Sequence, residues 1–208
     1  AVMSTWAYDK VLTLYGDGDR VEVPHQPIFN VTNQMTLTAW VRISSSVIDM
    51  KIISKGSSFC FGRDYDNNGL AFACKGVKYL WGTRNIFDYK WHHVAAVYDG
   101  TALYIYVDGT LDKKKLATGT ITPCSDPLLI GDLAELANGE WIGNIDDIRI
   151  YNRALTADEI ELFYYPFDIN NDKIINMYDL AIVADNWLDS NDLFTVDTNG
   201  DGVVNFED

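Results

Sequence analysis

Before Pro166 the chain reads as a succession of short runs in which apolar and polar residues alternate. Met35-Thr-Leu37-Thr-Ala39-Trp-Val41-Arg-Ile43 keeps the alternation over nine residues, the period-two signature of a half-buried antiparallel strand. Upstream, Val11 to Val23 reads strand, acidic Gly turn, strand, with Val21 and Val23 separated by a polar residue. Downstream, Ile52-Ile53, Phe59-Cys-Phe61, Leu70-Ala-Phe72-Ala-Cys74, Val94 to Val97, Leu103-Tyr-Ile105-Tyr-Val107, Leu128 to Ile130 and Ile145 to Ile150 are further strands. Asp99-Gly100 and Asp108-Gly109 are tight-turn signals between strands. About a dozen short strands at regular spacing predict a mainly β chain folded as an antiparallel two-sheet sandwich.

The pattern changes near the C-terminal end. Thr156-Ala-Asp158-Glu159-Ile160 is a capping box, in which the Thr156 hydroxyl and the Glu159 carboxylate satisfy each other's orphan N–H groups. It predicts a short helix through about Phe163, ended by Pro166. Two stretches 29 residues apart, Asp168 to Asp179 and Asp197 to Asp208, then repeat one grammar. Oxygen-bearing side chains fall at loop positions 1, 3, 5, 9 and 12, and position 7 would offer its backbone carbonyl. A loop with this spacing wraps a hard cation that takes roughly six to eight oxygens. The expected calcium ligands are therefore Asp168, Asn170, Asp172, Ile174, Asn176 and Asp179 in the first loop. In the second they are Asp197, Asn199, Asp201, Val203, Asn205 and Asp208. The alternative is a pair of acidic turns on a solvated tail.

Position 6, where the sharp turn favours Gly, is Gly202 in the second loop but Lys173 in the first. Tyr178 to Leu188 carries apolar residues at helical spacing, so one helix separates the loops. This loop–helix duplication resembles type I dockerin modules. The resemblance implies a small α-helical, EF-hand-like calcium-binding module over residues 166–208, cut short because the helix that should follow Asp208 is missing. It also implies a cohesin-like protein as partner. In dockerins, loop positions 10 and 11 help set that choice; here they are the bulky Met177-Tyr178 and Phe206-Glu207. Contact of these residues with the sandwich is the alternative. With no Gly/Ser-rich or Pro-rich linker between the parts, the tail is expected to pack and not to hang as a tether.

Charge sharpens the division. From Pro166 onward there are ten acidic residues against Lys173 alone, so the tail carries −9 of the net −14. Such a tail is expected to need metal in order to fold. No basic stripe reads as a nucleic-acid or anionic-membrane surface, and no run is long enough to span a bilayer. Cys60, Cys74 and Cys124 fit no zinc spacing. Counting back from the polar loop at Arg63 to Gly69 places Cys60 opposite Cys74, so a cross-strand disulfide is expected there, leaving Cys124 unpaired. The start at Ala1 and the stop at Asp208 read as cuts from a longer chain.

Four phrases, "LTLYGDGDRVEVP", "MTLTAWVRI", "WHHVAAVYDGTALYIYVDG" and "IGNIDDIRIYNRALTADEI", occur in this order. Together they make residues 1–165 resemble a laminin-G-like domain of the concanavalin A-like superfamily, which implies a jelly roll. Such domains often hold a structural calcium near their termini, and Asp17, Asp19, Asp146 and Asp147 lie in the motifs where it would sit. The alternative is that Asp17 and Asp19 shape a turn and Asp146-Asp147 lie at a strand edge. Some relatives hydrolyse polysaccharides with Glu-x-Asp-x-x-Glu on one strand; Glu135, Glu140, Asp146 and Asp147 lack that spacing. The adjacent His92 and His93 would point to opposite faces of a strand. The chain is thus read as non-catalytic.

Jelly-roll binders use exposed aromatics for sugar faces, whereas Trp40 and Trp91, within strand motifs, read as core. Tyr65, Tyr79, Trp81 and Trp141 fall in or near loops beside Arg63, Asp64, Asn67, Asn68 and Arg84. Trp81, Tyr79, Tyr65, Arg63, Arg84 and Asn67 form the candidate glycan site, and the alternative is that these aromatics seal the sandwich. The expectation is a calcium-dependent, carbohydrate-binding module of a secreted or cell-surface bacterial protein. Its partner would be a polysaccharide or glycoconjugate, and the tail would serve assembly or anchoring. The rival is a structural or adhesion module that binds protein.

Overall fold

The computed structural model describes residues 10–45, 50–63, 69–133, 139–170 and 172–185. By its backbone contacts the chain divides into two compact units, Ala1–Ile160 and Glu161–Asp208.

The first unit is a sandwich of two six-stranded antiparallel sheets. One sheet contains β1 (Leu12–Tyr15), β3 (Met35–Ile43), β8 (His92–Tyr98), β9 (Ala102–Val107), β10 (Thr110–Leu116) and β12 (Ile142–Tyr151), in the order β1-β12-β3-β8-β9-β10. The other contains β2 (Val21–Val23), β4 (Lys51–Lys55), β5 (Phe59–Arg63), β6 (Leu70–Cys74), β7 (Lys78–Trp81) and β11 (Leu128–Ile130), in the order β2-β11-β4-β5-β6-β7. β10 and β7 are therefore edge strands.

Alternation sets the core. Met35, Leu37, Ala39, Val41 and Ile43 of β3 face inward with Val94, Ala96 and Tyr98 of β8 and Leu103, Ile105 and Val107 of β9. Phe61 and Phe72 supply the opposite layer, edge to face with ring centroids 6.2 Å apart. Each fully buried side chain of this size contributes about 1.5–3 kcal/mol. Asp108 and Gly109 both take positive φ, 52° and 69°, as a two-residue hairpin turn between β9 and β10 requires.

Two expectations are corrected here. β3 is not half-buried along its length: Thr36 and Thr38, on its outer face, are sealed from solvent. The Thr36 hydroxyl donates to the Arg153 carbonyl and accepts the Leu155 N–H, both at 2.9 Å, so the segment after β12 runs over Thr36. Cys60 pairs with Ala73, not Cys74, and Phe59 takes the position opposite Cys74. The one-residue offset puts the two thiols on opposite faces, and no disulfide joins them. Burial pushes the Cys74 thiol pKa up.

The tryptophans also exchange roles. Trp40 and Trp91 are only partly buried. Trp40 points outward and meets the His93 ring edge-on at 5.6 Å, while Trp91 stacks under the Arg42 guanidinium at 5.4 Å. Among the described residues the fully buried indole belongs to Trp141, whose main-chain N–H donates to the Gly131 carbonyl at 2.7 Å. The third cysteine, Cys124, sits 3.9 Å from the buried Lys55 ammonium, which donates to the carbonyls of Cys124 and Asp126.

Helix α1 (Ala157–Tyr164) begins with the expected capping box: Thr156 N–H meets Glu159 at 2.8 Å and Glu159 N–H meets the Thr156 hydroxyl at 3.2 Å. Arg153 adds a two-pronged pair to Glu159 at 3.0 and 2.7 Å, and chiefly this holds the Glu159 carboxyl down at about 2. In the second unit, α2 (Met177–Asp185) follows the first candidate calcium loop. No helix of the described residues is long and apolar enough to cross a membrane.

Candidate functional site

The side chains flanking Leu80 on β7 carry the aromatic surface. Leu80 is in the core, so the pleat turns Tyr79 and Trp81 outward together. They are 50% and 37% exposed, with ring centroids 4.3 Å apart at a tilt of 58°. Across the β6–β7 pair, Ala73 lies opposite Tyr79 and Ala71 opposite Trp81, and Cys60 lies beyond Ala73. All three are partly accessible. The aromatic pair therefore stands beside a floor of small side chains, a step against which a flat ring can rest.

β10, the edge of the other sheet, anchors this strip at both ends. The Lys115 ammonium donates to the Tyr79 carbonyl at 3.0 Å and lies 4.7 Å from the Tyr79 ring centroid. Asp112 accepts the Thr83 N–H and hydroxyl, each at 2.8 Å, and the Arg84 N–H at 3.2 Å. Its carboxylate also occupies the space a side chain would need at Gly82. Exposed Lys113 lies between these two anchors.

The rest of the expected glycan cluster is dispersed. Tyr79 and Trp81 lie on an edge strand and not in loops. Arg63 is buried, with its guanidinium 3.6 Å from the Phe87 ring centroid, and that burial lowers its pKa. Arg84 turns its guanidinium inward to donate to the Val107 carbonyl at 2.8 Å. Trp141 belongs to the core. Tyr65 and Asn67, with Asp64 and Asn68, lie outside the described residues. Sequence reasoning missed Asp112, Lys113 and Lys115, although Lys113-Lys114-Lys115 is a visible basic run in an acidic chain.

The two histidines part as expected. His92 is held between carboxylates, Nδ1 2.9 Å from Asp108 and Nε2 2.9 Å from Asp88. The Asp108 bond chiefly, then Asp88, raises its pKa. His93 is buried, and desolvation lowers its pKa to about 4. His92 thus has both ring nitrogens committed, a poor arrangement for a general base.

The first candidate metal loop is curled by its own hydrogen bonds. Asp168 accepts the N–H groups of Asp172 at 3.0 Å and Lys173 at 2.7 Å. Asp179 accepts those of Ile169 at 2.9 Å, Asn170 at 3.3 Å and Asn176 at 2.8 Å, and the Asn176 bond is the main cause of its lowered pKa. Both carboxylates are buried. Asn170 donates to Asp172 at 3.0 Å, and the Asn176 amide donates to the Ile174 carbonyl at 2.9 Å. Lys173 takes φ +68°, the left-handed conformation Gly serves in such loops, and its ammonium pairs with Glu161 at 2.9 Å. The donor set is all oxygen, the chemistry that suits calcium and not zinc. Among the described residues, however, no three His, Cys, Asp or Glu side chains converge as a metal cluster. The second loop, Asp197 to Asp208 with Asn199, Asp201, Val203 and Asn205, lies outside the described residues.

Asp17, Asp19 and Asp146, expected at a sandwich calcium site, do not converge among the described residues. Asp17 and Asp19 follow Tyr15, which pairs with Ile142, whereas Asp146 lies four positions further along β12, opposite Trp40. At roughly 3.3 Å per residue this separates them by about 13 Å along the strand. Asp19 instead accepts the Tyr15 N–H at 3.0 Å, and Asp146 accepts the Asp147 N–H at 2.9 Å.

A family model described as Laminin_G_3, concanavalin A-like lectin/glucanases superfamily, matches residues 15–161. No curated protein matches the chain. Among solved structures, a candidate carbohydrate-binding protein from Bacteroides ovatus is similar at TM-score 0.60 and 17% identity, covering 69% of this chain and 44% of its own. Domain 4 of AbnA, an extracellular arabinanase from Geobacillus stearothermophilus solved with arabinotriose, gives TM-score 0.57 and 17% identity over 74% of this chain and 81% of that one. The binding domain of Paraclostridial Mosquitocidal Protein 1 gives TM-score 0.61 and 13% identity over 76% and 46%. The chain thus spans less than half of the first and third of these. At such identities the likeness shows the fold alone.

Proposed function

We propose, for a chain that belongs to the Laminin_G_3 family of the concanavalin A-like lectin/glucanase superfamily, that it is a non-catalytic carbohydrate-binding module. The observation that carries this reading is the exposed Tyr79–Trp81 pair beside the Ala71/Ala73/Cys60 floor. Sugar rings present an apolar C–H face that stacks on aromatics and an equator of hydroxyls for polar groups. Structural neighbours support it, since they include a domain solved with arabinotriose and a toxin binding domain.

In this proposal the second unit binds calcium through its two loops. Asp168, Asn170, Asp172, Asn176 and Asp179, with the Ile174 carbonyl, would hold one ion, and Asp197 to Asp208 the other. Support comes from the duplicated spacing and from two buried carboxylates already fixed by backbone N–H groups. The tail would then serve assembly or anchoring through a cohesin-like partner, on a secreted or cell-surface bacterial protein.

A glycan array in millimolar calcium, repeated after chelation, tests both limbs. Binding to one polysaccharide class that vanishes with chelator is the expected result. Binding indifferent to chelator would remove the calcium limb, and silence from folded protein would remove the carbohydrate limb.

A further inference from the structure

The chain is acidic as a whole, yet the surface around Tyr79 and Trp81 is basic. Residues 69–87, which hold β6 and β7, contain no Asp or Glu, and residues 109–122, which hold β10, contain only Asp112. The same two stretches carry Lys75, Lys78, Arg84, Lys113, Lys114 and Lys115. Six of the 16 basic residues thus share two segments with one of the 30 acidic ones. The segments meet in space, because Lys115 bonds the Tyr79 carbonyl and Asp112 bonds Thr83 and Arg84.

Ion pairs occupy five of the ten cations outside these two segments. Elsewhere Arg20 pairs with Asp132, Lys90 with Asp88, Arg149 with Asp147, Arg153 with Glu159 and Lys173 with Glu161. Among the described residues no carboxylate pairs with Lys78, Lys113 or Lys115. Asp112 keeps its charge but forms no ion pair with them; its oxygens accept from the Thr83 N–H and hydroxyl and the Arg84 N–H. Lys113 and Lys115 share the face of β10 that pairs with the inward residues Ile105 and Leu103. At a sheet edge this face turns them toward β7. The result is a ladder in which Tyr79 stands by Lys115 and Trp81 follows toward Lys113.

We infer that the ligand of this strip is an anionic polysaccharide, one whose sugar rings stack on Tyr79 and Trp81 while their carboxylate or sulfate groups meet Lys113 and Lys115. This rests on the carbohydrate-binding reading and narrows it. The net charge of −14 repels polyanions at long range, so recognition comes from this patch and not from a diffuse positive field. Because Lys113 is exposed and Lys115 only half-buried, the attraction is strongly screened by salt.

The test uses the full chain in calcium with two matched pairs of probes, polygalacturonate against its methyl ester and dextran sulfate against dextran. Affinity for the charged member should exceed that for its neutral partner, and should fall about ten-fold or more between about 0.05 and 0.5 M sodium chloride. Binding to the galacturonate alone or to the sulfate alone identifies which anion is read. The double substitution Lys113→Gln with Lys115→Gln, which leaves an amide donor for the Tyr79 carbonyl, should weaken the charged probe about ten-fold while moving the melting temperature little. Equal affinity for charged and neutral members, or indifference to the double substitution, overturns the inference while leaving carbohydrate binding in place. Silence toward all four probes also overturns it, and the array experiment then judges the carbohydrate reading separately.

Discussion

Both sheets turn aromatic residues outward, and they treat them in opposite ways. On the face of β3 and β8, Trp40 packs edge-on against His93, and neighbouring Thr36 is roofed by Arg153 and Leu155. On β7, Tyr79 and Trp81 stay half open beside small side chains and uncompensated lysines. The first face spends its outward residues on the protein's own covering segment. The second leaves them partly exposed. An outward aromatic is therefore evidence for a ligand only where the chain supplies no cover of its own.

The largest expected contrast lies between tryptophans. Trp141→Ala should cost about 3–5 kcal/mol, as for any large buried side chain, while Trp81→Ala should cost under about 1 kcal/mol. Chemical denaturation of both variants checks this; a comparable loss at Trp81 would assign it to the core and erase the difference between the faces. Next comes the roof itself. Thr36→Val keeps the shape but strands the Leu155 N–H, and should destabilise by about 1–3 kcal/mol, whereas Lys113→Gln on the open face should stay within about 0.5 kcal/mol. Equal effects would mean that the two faces are not differently committed. Thr156→Ala, which removes the hydroxyl cap of α1, should cost about 1 kcal/mol in the same assay.

The adjacent histidines give the smallest effect and the most specific sign. His92 has a raised pKa, so its stabilisation is present in full below the unfolded value of about 6.5 and is lost as pH rises through the native value. His93 behaves oppositely. Its native pKa of about 4 lies below the unfolded one, so the unfolded chain takes the proton first and stability drains as pH falls from about 6.5 toward 4. Melting curves across this range should show His93→Gln flattening the fall on the acid side and His92→Gln flattening the decline toward neutral and alkaline pH. Identical profiles would contradict the opposed environments of the two rings.

Much of this was written in local pattern. The alternation in Met35 to Ile43 gives the inward set of β3, and Asp108-Gly109 and the Thr156/Glu159 box fall where their chemistry demands. What local pattern does not contain is register. Cys60 and Cys74 looked opposed on a count from the loop, and a shift of one residue set them on opposite faces. Exposure is equally non-local. Trp141 sits beside loop residues in sequence but enters the core, while Trp40 alternates outward within a buried-looking strand. Arg63 and Arg84 read as polar neighbours of the site, yet Arg63 is buried against Phe87 and Arg84, though exposed, is tied to the Val107 carbonyl. The lysines of β10 were visible as a run; that they stand beside β7 follows from two sheet edges meeting, which no spacing encodes.

The most direct test of the account follows the six tryptophan indoles by NMR as polysaccharide is added. The Trp81 indole resonance should shift or broaden on titration while those of Trp141 and Trp40 hold still. A ligand that moves Trp40 or Trp91 and leaves Trp81 untouched would place the binding surface elsewhere and contradict the assignment to β7.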